Sequence, residues 1–248
     1  MLTAIDSHTH INHGTPWDSQ ETEIYSAALD HLRQVNLAAG IDKMLCSTFS
    51  SVLSSEDVPG ENSYLHSLVQ EYDYLYQWVV VEPRIPETFR QAEAMLQHPK
   101  CVGIKLHPLY HKYALEDYGD ALFSFASQFH AVVQIHPEKE ADYILPLADK
   151  YPDVTFIMAH LGSLEHINAI AGAVHGNVWT DTSGIASSRN NLLEYAVERI
   201  GSEKILFGTD TYAAGFQRGR VEFARISEAD KANILRNNAL RLFGETLK

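Results

Sequence analysis

Ile5-Asp6-Ser7-His8-Thr9-His10 is the stretch on which the reading of this chain turns. It is an apolar-led run that ends in His-x-His. In an extended segment alternate side chains share a face, so His8 and His10 point the same way. Two imidazoles on one face, where a strand runs out, form half of a metal site. The plainer alternative is a polar strand end bonded to neighbouring loops, and only matching ligands at later strand ends decide against it.

Outward from that strand the chain alternates short apolar runs with amphipathic ones. Further strands are expected over 41–47, 78–81, 101–106, 131–135, 154–159, 178–180 and 204–207. Helices are expected over 21–39, 63–76, 87–97, 120–129, 141–151, 164–174 and 192–200, from apolar residues at helical spacing. One more amphipathic helix is expected over 227–243, opened by Ser227 and closed by Gly244. The Ser-rich segment 48–61, with Pro59-Gly60, reads as a long loop over the same end as His8. Eight strands alternating with helices in 248 residues predict an α/β fold, a (β/α)8 TIM barrel over 1–248 as a single domain with an extra C-terminal helix. An open doubly wound sheet would normally carry a Gly-rich phosphate turn after its first strand, where this chain has His-Thr-His.

Composition narrows the function classes. Lys and Arg number 19 against 32 Asp and Glu, a formal charge of −13, which argues against a broad nucleic-acid surface. No apolar stretch approaches the roughly 20 residues that cross a bilayer. The two cysteines, Cys46 and Cys101, lie in apolar runs and read as free buried thiols. With no basic-then-apolar leader at the start, a cytoplasmic location is the expectation. The expected partner is a small-molecule substrate, without nucleic acid or membrane; a homo-oligomer is one open option.

In a (β/α)8 barrel the C-terminal strand ends meet at one mouth, where the chemistry sits. Here they carry His8 and His10 (strand one), Lys105 and His107 (four), His136 (five), His160 (six) and Asp210 (eight). Imidazoles and a carboxylate converging on one mouth suit a borderline divalent ion such as zinc. Each has its ordinary reading: a satisfied buried histidine for His136 and His160, a turn cap for Asp210. Weaker candidates are Glu82 and Arg84, which can pair with each other, Asp181 and Ser183, which can form a turn, and the loop aromatics Tyr110, His111 and Tyr113.

The sequence resembles the amidohydrolase superfamily, specifically its amidohydrolase-related metal-dependent hydrolase branch. The resemblance runs through Asp6-Ser7-His8-Thr9-His10, Gly103-Ile104-Lys105-Leu106-His107-Pro108, Ile135-His136-Pro137, Ala159-His160-Leu161-Gly162 and Phe207-Gly208-Thr209-Asp210, and covers nearly the whole chain. Tyr212 stands where relatives often have proline. The resemblance implies that His8, His10, His136 and Asp210 hold one divalent metal, zinc first, with manganese or others sharing such ligands. By the same match His160 and Asp210 are the catalytic pair. A metal-activated water would be the nucleophile, Asp210 would take its proton and pass it on, and His160 would stabilise oxyanion charge. Lys105 and His107 are assigned to substrate contact; a structural role for Lys105 and a supporting role behind a ligand for His107 stay open, and in binuclear relatives a strand-four lysine bridges two metals.

The resulting expectation is a metal-dependent hydrolase of a small amide, ester or lactone. The alternative is a metal-dependent non-oxidative decarboxylase of a small aromatic or unsaturated acid; relatives of that kind tend to be longer, which ranks hydrolysis first. A TatD-like nuclease would place a glutamate where Lys105 stands. A non-catalytic binding protein would not need both His160 and Asp210.

Overall fold

Eight short buried segments pair side by side in chain order, all parallel: β1 (Ala4–Ile11), β2 (Ile41–Thr48), β3 (Leu75–Val80), β4 (Cys101–Leu106), β5 (Val132–Ile135), β6 (Thr155–Met158), β7 (Val178–Asp181) and β8 (Ile205–Leu206). The computed structural model describes residues 2–13, 27–136, 143–211 and 214–247. Parallel neighbours need crossover connections, and helices supply them on the outside of the ring. The architecture is the expected (β/α)8 barrel.

The seam between β8 and β1 closes through the residues just beyond β8. The Ser7 amide donates to the Phe207 carbonyl (2.9 Å), and the amides of Thr209 and Asp210 both donate to the His8 carbonyl (3.1 and 2.8 Å). Asp6 clasps the same joint. Its carboxyl accepts from the Thr209 amide (3.0 Å), the Thr209 hydroxyl (2.6 Å) and the His8 amide (3.2 Å). Burial pushes Asp6 up to about 7, against the pull of those hydrogen bonds.

Outside the ring, α4 (Pro86–Met95), α6 (Leu115–Gln128), α7 (Ile144–Lys150) and α8 (Leu164–Gly172) bury apolar faces against β3 to β7 in the largest core cluster. α1 (Leu29–Ala38) and α3 (Val58–Glu71) cover β2, and α9 (Leu192–Ile200) and α10 (Ala214–Glu222) cover the seam side. At the floor, Trp78, Ile157, Trp179 and Leu206 pack with Phe243 from the C-terminal tail, the Trp78 and Phe243 rings meeting edge-on at 5.6 Å.

The helix expected over 63–76 ends at Glu71, with Leu75 and Tyr76 already in β3, and three further elements differ from expectation. The segment 48–61 is largely helical, as α2 (Phe49–Leu53) and the first turn of α3. Thr48 caps α2 by accepting from the Ser51 amide, and Asp57 caps α3 by accepting from the Gly60 amide. Residue types that make turns also start helices, and a first-turn Pro59 belongs to both patterns. α10 has no counterpart in the sequence reading because its inward positions include Gln217 and Arg218; the Arg218 guanidinium donates to the carbonyls of Leu2 and Gly40. The tail is α11 (Glu228–Ala232), a π turn (Asn233–Asn237) and α12 (Asn238–Phe243) rather than one regular helix. A π turn re-aims side chains by an extra residue, and here the buried Asn238 amide reaches the carbonyls of Ser202 and Ile205 (both 2.7 Å) beside β8. The expected helix 21–39 begins only at Leu29, because Ala28 is extended (ψ 137°) and stands as its cap; residues 21–26, like Tyr212 and Pro137, lie outside the described residues.

Gly103 is where β4 passes closest to its neighbours. A Cβ there would lie 2.2 Å from the Val132 carbonyl oxygen and 2.7 Å from the Trp78 ring. Backbone cannot yield as a flexible side chain can, so Gly103→Ala is expected to cost about 3 kcal/mol. In a chain of this size that lowers the melting temperature by roughly 6–12 °C. Thermal denaturation followed by circular dichroism checks this, and a shift below about 2 °C would show that β4 and β5 separate freely.

Candidate functional site

The strand alternation that buries Trp179 and Leu206 at the floor places polar side chains on the same faces one and two steps higher. From β4 come Lys105 and then His107, from β5 Gln134 and then His136, and from β7 Asp181 and then Ser183. Lys105 and Gln134 are register partners across β4 and β5, and the Lys105 ammonium donates to Gln134 Oε1 (2.9 Å). Both are fully buried.

Of the expected metal ligands, the structure brings three to one point. His8 Nε2 and His10 Nε2 lie 3.2 Å apart, and Asp210 Oδ1 is 3.4 Å from the first and 3.2 Å from the second. His8 Nδ1 donates to Asp181 Oδ2 (3.0 Å), which leaves its Nε2 as an acceptor. His10 Nδ1 lies 2.8 Å from Ser47 Oγ at the end of β2. Burial lowers both imidazoles, His8 to about 4, so they are neutral near pH 7. Burial pushes Asp210 up, but the hydrogen bond with His10 and the fields of His8, His10 and His160 outweigh it and hold the carboxyl well below the ordinary carboxylate range.

His10 Nε2–H can donate to Asp210 Oδ1; with that proton gone, two imidazole lone pairs and a carboxylate oxygen face one point, the donor set of a divalent cation. Ligands about 2.1 Å from a tetrahedral ion sit about 3.4 Å apart, close to the spacing here. The residues fit a divalent ion. His8, His10 and Asp210 can share one among the described residues; His136 stands beside this triangle, outside that group. His136 Nδ1 is instead 3.1 Å from His160 Nε2, and its ring stacks on His107 at 4.1 Å.

The Lys105 ammonium sits 3.0 Å from His8 Nε2, at the edge of the triangle. Burial lowers it to about 8 against the charges of Asp210 and Asp181. Its side-chain partners are His8 and Gln134, and no carboxylate pairs with it among the described residues. His107, also buried, accepts from the Tyr110 amide and opens α5 (Pro108–His111). His111 anchors that helix to the Ser51 carbonyl (2.9 Å), and Arg84 pairs with Glu82. These groups tie loops together at the mouth.

The backbone is strained at this end. His160, Asp210 and Thr211 all take left-handed conformations, with φ of 67°, 55° and 73°. Such residues cost of order 1 kcal/mol each and persist where the surroundings over-determine them. Asp181 and Ser183, weak candidates in the sequence, are central here, and Gln134 and Ser47 were not candidates at all. Period-two spacing from Lys105, His136 and His10 outward was the available signal for the inward face. It says nothing of which inward polar groups touch.

Fold and site together describe a (β/α)8 barrel with side chains at its mouth that could hold a divalent metal ion. Residues 5–244 match the amidohydrolase family, and the chain belongs to it. Comparison with curated proteins by sequence finds no match. Among solved structures the chain resembles a 2,6-dihydroxybenzoate decarboxylase from Rhizobium, at TM-score 0.74 and 16% identity over 98% of this chain and 99% of that one. It also resembles a 5-carboxyvanillate decarboxylase from Novosphingobium aromaticivorans complexed with manganese and 4-hydroxy-3-methoxy-5-nitrobenzoic acid, at TM-score 0.74 and 16% identity over 98% and 96%. A candidate 2-pyrone-4,6-dicarboxylic acid hydrolase from Pseudomonas putida matches at TM-score 0.69 and 18% identity over 100% of both chains. At these identities the likeness is one of fold.

Removing a triangle ligand should empty the centre. His10→Ala and Asp210→Asn are each expected to weaken metal binding at least tenfold, about 1.4 kcal/mol. His160→Asn is expected to keep wild-type occupancy. Elemental mass spectrometry after dialysis reads both, and equal loss in the His160 variant would contradict this division of roles.

Proposed function

We propose that this protein is a metal-dependent decarboxylase of a small aromatic or unsaturated carboxylic acid. The observation that carries the proposal is Lys105, a buried ammonium without a carboxylate partner among the described residues, set at the edge of three converging metal-ligand atoms. A buried cation is costly unless an anion meets it, and a substrate carboxylate is that anion. The likeness to decarboxylases extends over nearly all of each chain, so chain length no longer argues for hydrolysis.

His8, His10 and Asp210 would hold the divalent ion, with His136 as the expected fourth ligand. Both zinc and manganese suit this donor set, and manganese accompanies the Novosphingobium relative. When bound, the ion supplies the positive charge that orients and polarises the substrate's oxygens. Lys105 adds a second point of attraction and His107 a ring face beside the substrate. As the carbon–carboxyl bond breaks, its electron pair stays on the substrate carbon and carbon dioxide leaves. That carbon then needs a proton, which Asp210, ionised at rest, would take from a substrate hydroxyl or water and pass on, while His160 acts as an acceptor toward the group that supplies it.

Hydrolysis of a lactone or other small carboxylate is the second reading. It draws support from the Pseudomonas putida relative and uses the same carboxylate pocket, with Asp210 taking a proton from water.

Incubating metal-loaded protein with a panel of hydroxybenzoates and a pyrone dicarboxylate, followed by mass spectrometry, separates the readings. Loss of carbon dioxide that stops on chelation is the expected result. A product heavier by one water would move the assignment to hydrolysis, and an unchanged panel with full metal would count against both. On the accepted substrate, Lys105→Met is expected to lower kcat/KM roughly 10- to 100-fold, the worth of one charge-assisted hydrogen bond of about 1.5–3 kcal/mol.

A further inference from the structure

Beneath the three-ligand triangle lies a second knot of titratable groups. His8, His160 and Asp181 are close enough to share an ion. The Ser183 hydroxyl, however, touches all three: Oγ is 3.0 Å from His8 Nδ1, 2.9 Å from His160 Nδ1, and hydrogen-bonded to Asp181 Oδ1. The Ser183 hydroxyl joins these groups.

The hydroxyl has one proton and two lone pairs, so its bonds have directions that can be assigned. Asp181 is ringed by donors. Oδ1 accepts from the amides of Ser183 (2.9 Å) and His160 (3.3 Å), and Oδ2 from His8 Nδ1 (3.0 Å) and Gln134 Nε2 (3.3 Å). A carboxylate so placed offers only acceptance, and the Ser183 proton goes to it. Toward the histidines Ser183 can then only accept. His160 must present Nδ1–H to it, which leaves His160 Nε2 bare. That bare nitrogen faces His136 Nδ1 at 3.1 Å, which must therefore be protonated, leaving His136 Nε2 with its lone pair.

We propose that Ser183, oriented by Asp181, is a positioning residue that sets the tautomers of His160 and His136. The chain of donors runs from His136 Nδ1 to His160 Nε2, from His160 Nδ1 to Ser183 Oγ, and from Ser183 to Asp181. It makes His160 Nε2 the acceptor that holds His136 Nδ1–H in place, and so gives His136 the bare Nε2 that a metal ligand requires. The surrounding turn is shaped for this contact. Gly184 follows Ser183 with φ +66°, and a Cβ there would lie 2.8 Å from His160 Nδ1. The left-handed backbone of His160 (φ 67°) accompanies the contact between its amide and the same Asp181 oxygen. Asp181 and Ser183 both face inward and are fully buried.

This inference rests on the proposed catalytic use of His160, but its test reads the tautomer directly and stands apart from the choice of reaction. Long-range proton–nitrogen correlation spectra of 15N-labelled, full-length protein, metal-free and zinc-loaded, report which nitrogen of each imidazole carries hydrogen. His160→Gln and His136→Gln spectra identify the signals. The wild type is expected to show Nδ1–H at both residues. Ser183→Ala should turn His160 into a mixture with Nε2–H, and Ser183→Thr, which keeps the hydroxyl, should restore the single form. Asp181→Asn should invert it, since the amide can donate to Ser183 and send the hydroxyl proton to His160 Nδ1. That variant carries the test should Ser183→Ala fail to fold. On an accepted substrate Ser183→Ala is expected to lower kcat roughly 10- to 100-fold, within the range of acid–base effects, with KM nearly unchanged. An unaltered His160 tautomer in both Ser183→Ala and Asp181→Asn would overturn the proposal, as would a Thr variant that folds but does not restore it.

Discussion

The joint between the first and last strands is what the rest of the molecule depends on. β8 has only two residues in its ladder, too few to close a ring by themselves. Closure falls to Ser7 on Phe207, to the paired amides of Thr209 and Asp210 on the His8 carbonyl, and to the Asp6 carboxyl around Thr209. His8 and Asp210 are thus joined through backbone before their side chains meet. Two ligands some 200 residues apart in sequence become neighbours because the barrel ends where it began.

That closure also concentrates charge. Neutral His8 and His10 and the ionised Asp210 converge on one point, with the buried Lys105 alongside. Hydrophobic burial around β3 to β7 and the floor under Trp78 supply the rigidity that keeps these closely set polar groups in place. Left-handed backbone at His160, Asp210 and Thr211 shows the same tension in covalent terms.

Much of the site was readable from residue type at strand ends. His8 and His10 could be placed on one face from alternation alone, and Asp210 from its place after a short apolar run. Asp181 and Ser183 read as turn formers because Asp and Ser do form turns. Their other role depends on two histidines from different strands reaching them. α10 escaped notice because its inward face is written partly in Gln217 and Arg218, which bond to carbonyls of Leu2 and Gly40 rather than packing as apolar side chains.

The sequence by itself determined the eightfold alternation and which residue types stand at the strand ends, because periodicity and chain punctuation are local properties. Only the tertiary structure decided that His8, His10 and Asp210 converge while His136 turns to His160. It alone decided that Lys105 lies under the mouth with Gln134, and that one serine hydroxyl joins His8, His160 and Asp181. Those facts depend on the stagger of strands around a closed ring. A difference of an ångström there separates a metal ligand from a hydrogen-bond partner, and no local pattern records it.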